Sequence, residues 1–65
     1  MLIGCIRFAD AKGTQRGRLE VSVEGETITL MSERDGATHR LHVNARSAEK
    51  IATLLDAAAN RARGA

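Results

Sequence analysis

Between residues 18 and 24 the chain alternates without a break, Leu19, Val21 and Val23 against Arg18, Glu20, Ser22 and Glu24. Such a period of two lets a strand bury one face and keep the other in water. Residues 2–9 are mostly apolar and predict a first strand, with Leu2, Gly4, Ile6 and Phe8 on one face and Ile3, Cys5 and Arg7 on the other. The stretch 10–17 between them holds two glycines and no large apolar residue, which predicts a mobile connection. Further strands are predicted at about 27–34 and 37–45. Over residues 47–63 the period changes. Ala48, Ile51, Leu54, Leu55, Ala58 and Ala62 follow helical spacing and form one apolar stripe. Ser47 is the expected N-cap, Glu49 falls in the expected first turn, and Gly64 is the expected stop. Arg61 and Arg63 oppose the negative end of the helix dipole.

Strand register follows from a single requirement, that facing residues in a hairpin point to the same side of the sheet. A turn at Gly25-Glu26 sets Val23 against Ile28, Val21 against Leu30 and Glu24 against Thr27, so every pair agrees in polarity. A turn one residue earlier would set Val23 against Glu26 and is rejected. Glycine in first place suits a type II′ turn, and Asp35-Gly36 suits a type I′ turn between Arg34 and Ala37. The second turn sets Leu30 against Leu41, Ile28 against Val43 and Ser32 against His39. One face is then Leu19, Val21, Val23, Ile28, Leu30, Leu41 and Val43. The other carries Arg18, Glu20, Ser22, Glu24, Thr27, Thr29, Met31, Glu33, Thr38, Arg40, His42 and Asn44. The expected fold is α+β: a four-stranded antiparallel β-meander with one C-terminal helix packed on its apolar face as a lid, forming a single domain over residues 1–65.

Sixty-five residues leave little room for a core. A chain of this size buries only about 60% of the surface its unfolded form exposes, and such domains lean on disulfides, metals or oligomerisation. With one cysteine, no disulfide is available within the chain. Oligomerisation is the support left, and a homodimer is expected. No apolar run is long enough to span a membrane, and the lone cysteine suits a reducing compartment, so a cytoplasmic location is expected. Leu2-Ile3-Gly4-Cys5 has the look of a lipoprotein cleavage box but lacks the basic and apolar segments such a signal requires upstream.

Candidate chemistry is sparse. His39 and His42 form an H-x-x-H, yet three residues apart in a strand they point to opposite faces, and with Cys5 they leave no closed set of zinc ligands. No metal or cofactor is expected. Cys5 beside Arg7 reads as a small packing residue rather than an activated thiol. No nucleophile, base and acid arrangement can be argued, and a non-enzyme is expected.

The net charge of +2 is spread unevenly, positive as far as Arg18, negative over 19–35 and positive again beyond. Lys12, Arg16 and Arg18 crowd one connection, and Arg7, Arg40 and His42 join them on the outer face. Glu20, Glu24 and Glu33 share that face, with Glu33 opposite Arg18, so its field is mixed in sign. Single-strand binders also stack bases on aromatic side chains, and Phe8, the one aromatic, falls on the inner face. Ile3, Cys5 and Met31 are apolar positions on the outer face, where a two-fold dimer would bury them.

The order of four strands then a helix resembles PC4-like single-strand-binding proteins in topology, with none of that family's aromatic and basic motif residues. In size and dimeric build the chain also looks like the small inhibitors of phages and mobile elements, anti-CRISPR proteins among them. That resemblance implies an inhibitor that binds and blocks a larger protein or nucleoprotein complex. Lys12, Arg16, Arg18, Glu20, Glu33, Arg40 and His42 are the expected contact residues, and Ile3, Cys5 and Met31 the expected dimer interface. The alternative is a small dimeric nucleic-acid-binding protein using the basic loop 12–18 and the outer sheet face.

Overall fold

A computed structural model describes residues 1–64. It contains four strands, β1 (Leu2–Ala9), β2 (Arg16–Glu24), β3 (Thr27–Arg34) and β4 (Ala37–Val43), followed by the helix α1 (Ala45–Gly64). The strands form one antiparallel sheet in the order β1-β2-β3-β4, an α+β arrangement in which every neighbour in sequence is a neighbour in space.

Both hairpins adopt the expected register. Val23 faces Ile28, Val21 faces Leu30, Leu30 faces Leu41, and Ile28 faces Val43. The turn dihedrals agree with this. Gly25 alone is left-handed in the first turn, at φ 60°, as a type II′ turn requires. Asp35 and Gly36 are both left-handed in the second, at φ 53° and 78°, as a type I′ turn requires.

The β1–β2 hairpin brings two departures from the sequence reading, and between them one contact that the sequence did not signal. First, β2 begins at Arg16 rather than Arg18, because residues 10–15 close as an ordered turn and not as a mobile connection. The Asp10 carboxylate accepts hydrogen bonds from the Thr14 backbone N–H at 2.9 Å and the Thr14 hydroxyl at 3.2 Å, and the Asp10 N–H donates to the Gln15 carbonyl at 2.9 Å. Phe8 faces Gly17, and its ring occupies the space a Cβ on Gly17 would need. Glycine is therefore the residue that lets the aromatic ring lie flat on the strand. Second, a bulge between Leu2 and Gly4 shifts the alternation. Gly4 faces Val21 on the apolar side, but Leu2 faces Ser22 on the polar side. Met1 exchanges both backbone hydrogen bonds with Val23 and so takes the apolar place expected for Leu2.

Helix α1 starts earlier than its sequence signal. Asn44, not Ser47, is the N-cap: its Oδ1 accepts from the Ser47 N–H at 2.9 Å and its carbonyl from the Ala48 N–H at 3.0 Å. Glu49 consequently falls beyond the first turn, which holds no acidic residue, while Arg61 and Arg63 do occupy the last.

The lid is where the structure departs most from expectation. Ala48 and Ile51 are half-buried, and the helix meets the sheet chiefly at β3. Further along, Leu54 is 70% exposed and Leu55 65%, with Ala58 and Ala62 also in water. A single residue, Asn44, links β4 to α1, so the helix has no slack with which to swing across the sheet, and the second half of its stripe lies on nothing. The apolar sheet face is correspondingly open: Ile6 is 59% exposed and Leu41 52%, and among the described residues none is fully buried.

Candidate interaction surface

The outer face of the sheet is built by strand alternation alone, so its residues fall into cross-strand rows. Near the 10–15 turn, Arg7 faces Arg18, Arg18 faces Glu33, and Glu33 faces Thr38. Arg16 lies beyond Arg7, opposite Ala9. The middle row runs Cys5, Glu20, Met31, Arg40, the next runs Leu2, Ser22, Thr29, His42, and Glu24 faces Thr27 beside the Gly25-Glu26 turn. Arg18, Glu20, Glu33, Arg40 and His42, expected on one face from the register, therefore share it. Arg16 extends that face at its basic end, and Lys12 sits in the adjoining turn.

The electrostatics of this face are organised around Arg18. Its Nη2 lies 3.7 Å from a carboxylate oxygen of Glu20 and 3.7 Å from one of Glu33. Exposed ion pairs of this kind contribute about 0.2–1 kcal/mol. Their larger effect is on the field, for Glu20 and Glu33 offset Arg18 and leave Arg7 and Arg16 as a separate positive end. Two arginines facing across neighbouring strands repel, and the Arg7–Arg18 pair is tolerated because Glu33 stands on the far side of Arg18. A shallow depression lined by Arg7, Arg16, Arg18, Glu33 and Asp35 marks this end of the sheet.

The turn that carries Lys12 is held firmly. Partial loss of water around Asp10 pushes its carboxyl pKa up, but the backbone N–H groups of Thr14, Gln15 and Lys12 and the Thr14 hydroxyl outweigh this and hold it below the usual carboxylate value. Ionised Asp10 thus fixes the turn and presents Lys12 on a defined scaffold.

His42 and Thr29 face each other, and the His42 Nδ1 and Thr29 Oγ1 lie 2.9 Å apart, an interaction that the sequence reading missed. The alternation of polar residues on β3 and β4 was its one available signal. His39 stands on the opposite face, across from Ser32. The described residues contain no cluster of three or more His, Cys, Asp or Glu arranged to hold a metal ion.

The three residues expected to form a dimer patch are not contiguous. Cys5 and Met31 share a row but are separated by Glu20, and Ile3 lies in the bulge, out of phase with both. Cys5 is exposed as a free thiol, whereas Met31 is half-buried among its neighbours. The outer face therefore offers an ordered array of charges, with Met31 the lone apolar residue that its two central strands place there.

Comparison with known proteins brings no match: no family model fits the chain, and no curated sequence or solved structure matches it. No helix among the described residues is long and apolar enough to cross a membrane.

Proposed function

We propose that this protein is a non-enzymatic binding module that uses the outer sheet face to cover a surface of a larger protein or nucleoprotein complex, as small inhibitors of the anti-CRISPR kind do. The observation that carries this reading is the ion-paired cluster of Arg18 with Glu20 and Glu33, spanning two cross-strand rows and flanked by Arg7, Arg16 and Arg40 on the same sheet face. A surface of alternating sign selects a partner of complementary pattern and rejects others through like-charge contact. A phosphate backbone, uniformly negative, would meet Glu20 and Glu33 at the centre of the same face.

Capture of partners from host lysate, with and without nuclease, tests the reading. A defined protein retained after nuclease and lost with Glu20→Lys/Glu33→Lys supports it. Loss of every partner after nuclease overturns it. The second reading, nucleic-acid binding, is favoured by one specific feature, the Arg7, Arg16 and Lys12 end, where no carboxylate within ion-pair distance offsets Arg7 or Arg16 among the described residues. Single-stranded DNA shifted at low salt, released steeply as salt rises and lost with Arg7→Ala/Arg16→Ala, would establish it.

A further inference from the structure

The molecule has two unfinished apolar surfaces. One is the inner sheet face, where Met1, Val23, Ile28 and Val43 form one row, Gly4, Val21, Leu30 and Leu41 the next, and Ile6 and Leu19 a third. The other is the distal half of α1, with Leu54, Leu55, Ala58 and Ala62. A two-layer α/β core needs one of each, and this chain carries both without bringing them together.

The size of the deficit is measurable. The accessible surface is 5489 Å², whereas a compact monomer of 7.0 kDa would expose about 4,000 Å². The radius of gyration is 13.1 Å, against about 11 Å for a compact domain of this length. Each chain therefore exposes about 1,500 Å² more than a closed fold of its mass. Over two chains that is about 3,000 Å², within the range of obligate dimer interfaces, and about twice what a standard-size interface buries.

We infer that the missing layer is a second copy of this chain, with the distal half of each α1 lying across the inner sheet face of its partner. One observation favours a copy over an unrelated protein, and the charge of the chain does not oppose it. The uncovered area is self-complementary, because the convex Leu54-Leu55 ridge and the open Leu41-Ile6 face occur on the same chain and a two-fold axis satisfies both at once. The net charge of +2 per chain is small, so two copies meet without strong repulsion. This places the dimer on the face opposite the Ile3, Cys5 and Met31 patch expected from sequence, and leaves the outer face of both copies free. The inference stands apart from the proposed function, which concerns that outer face.

Sedimentation equilibrium at micromolar concentration is expected to give about 14 kDa, twice the chain mass. The melting temperature is expected to rise with protein concentration, because unfolding is coupled to dissociation. Leu55→Ala should raise the dimer dissociation constant at least tenfold. Leu54→Glu is the decisive variant: on an isolated chain that position is 70% exposed and the change would be nearly silent. A shift to a 7.0 kDa species or to an unfolded chain supports the inference. A wild-type protein that is a folded 7.0 kDa monomer with a concentration-independent melt overturns it, as does a Leu54→Glu protein with unchanged mass and melt. Met31→Glu, on the outer face, should leave the mass at about 14 kDa; dissociation by that change would move the interface to the outer face and overturn the inference.

Discussion

Asn44 decides where the helix begins. Its side chain satisfies the Ser47 N–H, one of the donors the first turn leaves without an intrahelical partner. Asn44→Ala should cost about 1 kcal/mol in urea denaturation, and Ser47→Ala much less, reversing the order that the Ser47 signal alone implies. Asp10 makes a second prediction at this scale. Its carboxyl pKa is lowered in the folded chain, so the stability it contributes is present above the ordinary Asp value of about 3.9 and is lost as pH falls through the depressed folded value. Wild type should therefore protect the Thr14 amide from hydrogen exchange better than Asp10→Ala does near neutral pH. The difference should shrink once the pH is below about 4, where the unfolded carboxyl is already protonated. The role of Asp10 was not legible in the sequence, because an Asp three residues before Gly13 signals a turn without saying what the carboxylate accepts.

Among the elements, the hairpins were legible and the first strand only partly so. Turn chemistry and polarity matching are both local, and they agree on one register, which is why Gly25-Glu26 and Asp35-Gly36 lie where expected. Gly36→Ala should cost roughly 1–2 kcal/mol, since a Cβ is strained at φ 78°. The bulge in β1 had no comparable signal: Leu2 and Ile3 are both apolar, so polarity could not tell which face each takes. The close approach of Phe8 to Gly17 was equally silent, being a contact between strands. Gly17→Ala would drive a Cβ into the Phe8 ring and the Glu33 carbonyl oxygen. It should cost roughly 1–3 kcal/mol by overpacking, and Phe8→Ala in the same chain should recover part of that loss, a coupling that a double-mutant cycle in urea measures.

At the level of the whole molecule, the outer face keeps its charges in register while the inner face waits for a cover. On the function and the dimer proposed above, the two faces separate what holds the protein together from what meets a partner. Resting on the dimer inference, a chain ending at Thr53 should lose cooperative melting by circular dichroism even though it keeps Ala48 and Ile51 against its own sheet. A cooperative melt in that truncated chain would show that the distal stripe contributes nothing to folding.

The candidate surface divides along the same line. Arg18, Glu20, Glu33, Arg40 and His42 could be placed together from sequence, because strand alternation and hairpin register are properties of neighbouring residues. The pairing of one guanidinium with two carboxylates, and of His42 with Thr29, needed side-chain geometry. Sequence by itself determined the four strands, the helix, the two turns and the polarity of each face, all set by short-range sterics and by the period of apolar positions. Only the tertiary structure decided that α1 leaves the sheet half-covered. That outcome depends on the one-residue link at Asn44 and on how far each apolar stripe reaches past the sheet, which no local pattern encodes.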